Sequence, residues 1–386
     1  MTSHSSLERT EASALPASVV PFEDRPVLLL FSDDSTLIFA RRMRDCLRAA
    51  APSLKVEMGW LVGENALSYR QMSLLLPEGP DHALQGKNVF QQLMLARSHK
   101  AIVTSRVYGP LGAQLRRTIM HVDNERPCVI AFLGGLDFTP KDGYFRRRHC
   151  DGVFVFPQSE VATFEKQAQS WPTRMWQEVG FGHPSVTEVQ SLSSQELADR
   201  KDIYFFTQAL SPSTRRARLH MLRSMAAIAR ANPDRTVWIK LRHLPEENQQ
   251  HLHLEKYSYP DLLAELPSRP QNLKVTACTM DQALKTAAIG ITCTSTAAID
   301  VVRAGVPCMV HLDYVDNYLD PLEQPMRMLF RDSGLITSLD DMLHLRAHKA
   351  ADKWIQNMFC KDDLGAQVLG IIDRFQHRPF QVRKDS

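Results

Sequence analysis

Three stretches of this chain carry residue types that together can hold and cleave a phosphate-linked substrate. In IKLRHLPEE, Ile239–Glu247, an apolar run delivers Lys240, Arg242 and His243. A guanidinium forks onto phosphate oxygens, an ammonium adds a point charge, and an imidazole can donate a hydrogen bond or a proton near neutral pH. Strand alternation puts Lys240 and Arg242 on one face; a solvated basic turn is the plain alternative. In AIGITCTSTAAIDVVRAGVPCMVHL, Ala288–Leu312, another apolar run leads into Thr294, Ser295 and Thr296 where a helix begins. Helix-start N–H groups and three hydroxyls suit an anion, and the same residues also serve as ordinary caps. The third element is carboxylate: Asp33 and Asp34 follow PVLLLF, and Asp137 sits in FLGGLDFTP. Asp137 and Asp34 are the leading candidates for a general base, with Asp33 behind them.

Weaker signals surround these. Arg106 and Tyr108 in SRVYGPLGAQLRR form a recognition loop or a structural turn, and Arg146 opens a basic run that attracts an acidic ligand or simply faces water. In DYVDNYLDPLE, Asp313–Glu323, Tyr314 or Tyr318 is placed to stack on a base and Glu323 to accept from a ribose. The carboxylates are scattered, and the basic and hydroxyl groups can neutralise phosphate by themselves, so neither a metal nor a cofactor is expected.

Such groups need strand ends to hold them. PVLLLFSDD, KVEMGWLV, AIVTS, PCVIAFLGG and GVFVFPQ read as buried strands alternating with helical stretches such as STLIFARRMRDCLRAA and SYRQMSLLL. The alternation resumes after about residue 200 with DIYFFTQA, TVWIKLRH, LKVTA, IGITCTS and PCMVHLD. This order predicts an α/β protein of two Rossmann-like domains in series. The boundaries are a flexible extension over 1–25, a first domain over 26–185, a second domain with closing helices over 186–375, and a flexible tail over 376–386. DMLHLRAHKAADKWIQNMF and DLGAQVLGIIDRF have helical spacing and either cap the second domain or cross back over the first.

Composition narrows the class. The 386 residues suffice for two cores, and 46 basic against 43 acidic residues leave a net charge of +3, which argues against a broad nucleic-acid surface. Seven cysteines without a CxxC fit reduced core thiols. The start lacks a basic, apolar leader, and no run approaches 18 apolar residues, so a cytoplasmic protein is expected.

The paired pattern of KLRHLP and CTSTAAIDVVRAGVP, within residues 236–312, resembles bacterial GT-B glycosyltransferases with two facing Rossmann-like domains. It is closest in type to sialyltransferases, polysialyltransferases and capsule Kdo transferases, although Leu244 separates His243 from Pro245. The resemblance implies a CMP-activated acidic sugar held by Lys240, Arg242, His243 and Thr294–Thr296. It also implies a glycan or glycolipid acceptor, and with it peripheral association at the inner face of a membrane. A transferase using a UDP-, GDP- or TDP-sugar, a non-hydrolysing sugar-nucleotide epimerase and a non-catalytic nucleotide-binding protein are the alternatives.

Overall fold

Runs that are apolar at every position cannot leave a face in water, and here they pair in parallel beneath helices on both sides. The computed structural model describes residues 20–378 apart from 64–65, 87, 108–111, 114, 116–124, 134–139, 172–175 and 252. The first sheet contains β1 (Val27–Phe31), β2 (Val56–Leu61), β3 (His82–Leu84), β4 (Ala101–Thr104), β5 (Cys128–Phe132), β6 (Gly152–Val155) and β7 (Glu178–Phe181). Its order is β3-β2-β1-β4-β5-β6-β7, parallel throughout. The second holds β8 (Asp202–Phe206), β9 (Val237–Lys240), β10 (Leu273–Thr276), β11 (Ala287–Thr292) and β12 (Cys308–Val310), ordered β10-β9-β8-β11-β12 and also parallel. In each sheet the chain winds outward from its first strand and then jumps back across it. That jump opens a crevice at the carboxyl ends, between β1 and β4 and between β8 and β11. Two Rossmann-like sheets facing one another are the GT-B architecture.

β1, β4, β5, β6 and β11 are buried at every position, which is why their sequences stand out. β3 and β7 do not stand out: HAL and EVGF are edge strands of three and four residues that are only partly buried. Within Val20–Arg25, Phe22 and Arg25 are buried, while Val20, Pro21, Glu23 and Asp24 are exposed. Phe22 is 8% exposed and joins the core of the first sheet, and Arg25 donates to the carbonyls of Val20 and Glu125. The stretch from Asp341 to Phe359 is not one helix. It divides into Leu339–Leu343 and Asp352–Met358, with Leu345 between them in the left-handed region at φ 54°.

The closing helix, Leu364–His377, lies within the second domain's span of sequence and packs on the first sheet. Leu364, Val368, Ile371, Ile372 and Phe375 form one stripe, buried with Leu37, Met43 and Leu47 of the first helix, Asp34–Ala50. Gly365 lets the two backbones meet, since a Cβ there would lie 2.2 Å from the Cys46 carbonyl oxygen. Residues 379–386 lie outside the described part of the chain.

Candidate functional site

β1 runs into Asp33, whose side chain caps the first helix. Its Oδ1 accepts from the Thr36 N–H at 3.0 Å and from Ser35 Oγ at 2.9 Å, while Thr36 Oγ1 accepts from the Asp33 N–H at 2.9 Å. Arg106, just beyond β4, donates to Asp33 Oδ2 and to Ser32 Oγ. Arg106 and Asp33 thus meet at the expected strand ends, with Asp33 engaged as cap and anchor.

Asp34, the first residue of that helix, points across to the second sheet. Arg242, two residues past β9, donates Nε to Oδ2 at 2.9 Å and Nη2 to Oδ1 at 2.7 Å. Burial pushes the Asp34 carboxyl up, but the charge and hydrogen bonds of Arg242 outweigh it and bring the pKa from 3.8 to about 2. The fork joins one sheet's carboxyl end to the other's.

Two further contacts close the cleft. Glu247 accepts from Arg70 Nε at 2.8 Å and Nη2 at 2.7 Å, from Ser68 Oγ at 2.8 Å and from the Leu244 N–H at 2.9 Å. Arg42 Nη1 lies 2.7 Å from Asp300 Oδ1 and donates to Ser185 Oγ. Burial raises the Glu247 pKa, but these partners bring it from 4.5 to about 2. Both carboxyls titrate lower when folded than when exposed. Their contribution is therefore complete above about pH 4.5 and is lost as the pH falls to about 2. Acid is expected to lower the thermal midpoint and enlarge the small-angle scattering radius in that window. The double variant Asp34→Asn, Glu247→Gln should flatten both responses; an unchanged response would assign the acid sensitivity to other groups.

A histidine cluster flanks the fork. His243 is 2% exposed and bonds through Nε2 to Asn248 Oδ1 at 3.1 Å; His251, 5% exposed, stacks on it with ring centroids 4.0 Å apart. Among the described residues His243 Nδ1 and both His251 nitrogens have no hydrogen-bond partner. Burial lowers both pKa values, that of His251 to about 4, so both rings are neutral at pH 7. His253 is also held low, by burial and then by Arg242. Polar atoms buried in this way are costly unless a ligand or water satisfies them. Arg70, Glu247, His251 and His253 are not singled out by sequence spacing; the HLH in NQQHLHLEK is the one local signal.

The remaining expected residues divide. Lys240 is half-buried at the end of β9, its ammonium donating to the Leu241 carbonyl, and burial lowers its pKa. The Ser/Thr turn ends β11, two strands from β9 and hence about 10 Å away. Within it Thr294 is 1% exposed and donates to Ser211 Oγ, so its hydroxyl serves the interior and not a phosphate. Ser295 Oγ accepts from the Ala297 N–H at 3.2 Å, which leaves Thr296 as the exposed hydroxyl. Tyr314 is 2% exposed with its hydroxyl on Asp320, so its ring cannot stack on a base; Tyr318, 79% exposed, can. Glu323 is buried and bonded to Arg327, which also holds Asp313. Arg146 is exposed. Asp137 and Tyr108 lie outside the described residues. A shallow concavity of about 470 Å³ lined by Glu196, Arg200, Asp202 and Lys285 opens at the amino end of β8, away from the cleft.

Two facing Rossmann sheets with a cationic strand end opposite an acidic one define a GT-B protein. The chain belongs to the family described as "Putative glycosyltransferase (DUF6716)", whose model matches residues 27–373. No curated protein matches the sequence. Among solved structures it is similar to a Listeria monocytogenes protein described as a "putative UDP-N-acetylglucosamine 2-epimerase", at TM-score 0.57 and 12% identity over 93% of this chain and 98% of that one. It is also similar to a Methanocaldococcus jannaschii UDP-GlcNAc 2-epimerase in complex with UDP-GlcNAc and UDP, at 0.53 and 10% over 90% and 99%. S. aureus MnaA with UDP gives 0.52 and 10% over 94% and 100%. At these identities the likeness is one of fold. No helix among the described residues is long and apolar enough to cross a membrane.

Proposed function

We propose that this chain transfers a sugar from a nucleotide donor to a glycan or glycolipid hydroxyl, with the donor phosphate on Lys240, Arg242 and His243. The observation that carries the reading is the Asp34–Arg242 fork. A phosphate is a chemically equivalent bidentate partner for that guanidinium. When it takes Arg242, Asp34 loses the charge that holds its pKa at about 2 and returns toward the ordinary carboxylate range, where it is a better base. The acceptor O–H gives its proton to Asp34 as its oxygen bonds the anomeric carbon. The bond from that carbon to the phosphate oxygen breaks, and the phosphate departs with the electron pair, stabilised by Arg242 and Lys240. Neutral His243 and His251 have nitrogens for the remaining phosphate or sugar oxygens. Asp137 is the competing base.

The local resemblance at Lys240–Pro245 and Thr294–Thr296 favours a CMP-linked acidic sugar, sialic acid or Kdo. The fold relatives that bind UDP make UDP-sugars the second donor class. Calorimetric titration with CMP, UDP, GDP and TDP tests this: CMP is expected to bind at least about 10-fold more tightly than the others, a 1.4 kcal/mol preference. Preference for UDP would transfer the donor assignment, and absence of binding by all four would sink the nucleotide site. Conversion of a UDP-sugar without any acceptor would instead make the protein an epimerase.

A further inference from the structure

At the opposite end of the first sheet three chemically matched side chains converge. Glu57 is the second residue of β2, His82 the first of β3, and His99 lies two residues before β4. The strands are parallel, so these positions lie toward their amino ends, while the cleft is built on the carboxyl ends. Both imidazoles aim Nε2 at the same carboxylate oxygen: His82 is 2.7 Å and His99 3.0 Å from Glu57 Oε2. One ligand atom from each residue lies within 4.8 Å of the others. The rings are perpendicular, with centroids 5.8 Å apart, so their lone pairs approach from different directions.

We propose that Glu57, His82 and His99 form a divalent-metal site, with zinc as the ion. Zinc bonds to imidazole nitrogen and carboxylate oxygen at about 2.0–2.2 Å, which separates neighbouring ligand atoms by roughly 3.0–3.5 Å. The 2.7 Å and 3.0 Å approaches to Oε2 lie within about half an ångström of that range, and the ligand atoms all lie within 4.8 Å of one another. Two imidazoles and one carboxylate without sulfur suit zinc, with a water in the open position. His99 is 1% exposed, and its Nδ1 lies 2.9 Å from Ser98 Oγ, the outer contact that orients a ligating histidine. The His82 side chain is 27% exposed and opens one side of the cluster for entry. Lys55 Nζ sits 2.9 Å from Oε1, leaving Oε2 as the ligating oxygen, and its charge opposes the cation. The ion would tie the three-residue edge strand β3 to β2 and to the entry of β4, securing an edge with few backbone bonds of its own. The role is structural and independent of sugar transfer.

Chelator-dialysed full-length protein titrated with zinc chloride tests the site, followed by calorimetry and thermal melts. One equivalent is expected to bind and to raise the melting midpoint. Ser98→Ala should weaken binding roughly 10-fold, and Lys55→Ala should strengthen it several-fold. Truncating His99 also leaves a cavity, so His82→Ala, at a partly exposed position, carries the loss of binding. Cobalt titration should give visible bands without thiolate charge transfer, separating this site from the seven cysteines. No saturable equivalent, a thiolate band, or parental affinity in His82→Ala would each overturn the proposal.

Discussion

Asp34→Asn is expected to tighten donor-nucleotide binding about 10-fold while slowing sugar transfer by roughly 10²–10⁴-fold. The two effects have one origin. Arg242 holds Asp34 through two hydrogen bonds, and the net fall in the Asp34 pKa from 3.8 to about 2, left after burial has pushed it up, corresponds to about 2 kcal/mol in favour of the carboxylate. An incoming phosphate must displace the carboxylate; an amide is a weaker competitor, so more of the phosphate's attraction appears as affinity. The same amide cannot take the acceptor's proton, so the chemical step suffers.

Arg242→Ala should act on binding in the opposite sense. It removes a charge-assisted fork, weakening nucleotide binding roughly 10–100-fold, and it withdraws the cation facing the leaving phosphate, at a further cost in transfer of about 10²-fold. It also leaves Asp34 buried and unpaired, which places the expected stability loss at about 2 kcal/mol, below the range for fully buried pairs because the Arg242 side chain is 24% exposed. Calorimetry, product assays and thermal melts on both variants decide the matter. Weaker nucleotide binding in Asp34→Asn, or unchanged binding in Arg242→Ala, would remove the fork from the mechanism. If Asp137→Asn stops transfer and Asp34→Asn does not, the base is Asp137.

The second large effect belongs to the closing helix. Gly365→Ala is expected to cost about 3 kcal/mol, at the upper end of ordinary overpacking, because the new methyl would sit 2.2 Å from the Cys46 carbonyl oxygen and 2.9 Å from Ala50 Cβ. The nearest atom is backbone within a helix and cannot swing aside, so the two helices must separate and loosen the stripe from Leu364 to Phe375. Gly370→Ala in the same helix is the control. There the nearest atom is the far end of the Arg374 side chain at 3.1 Å, which can move, so the gain in helix propensity should stabilise by about 0.5–1 kcal/mol. Thermal melts and limited proteolysis of the C-terminal segment should show opposite signs. Equal behaviour of the two variants would mean that the close helix contact is absent in solution.

Most of the fold was legible because burial on both faces leaves a local mark. VLLLF, CVIAF and AAIGIT have no polar position to confuse the period, whereas HAL and EVGF are too short and too exposed to carry one. The candidate site was legible in part. Arg242, His243 and Asp34 declared themselves by standing at the ends of apolar runs. Tyr314 and Thr294 misled because residue type reports chemical capacity and not direction: both hydroxyls turn inward to the Ser211–Asp320 network. Arg70 and Glu247 carry no mark at all, since each is an ordinary charge until the other is opposite it.

By itself the amino-acid sequence determined two parallel α/β units and a set of phosphate-compatible groups at their strand ends, because strand burial and helix periodicity are properties of neighbouring residues. Only the tertiary structure decided partners. Asp34 meets Arg242 across 208 residues, Glu57 meets His82 and His99 across 25 and 42, and the last helix returns to the first sheet. Those choices depend on distances between separate elements, and Coulomb attraction, hydrogen bonding and close packing act over a few ångströms of space, whatever the separation along the chain.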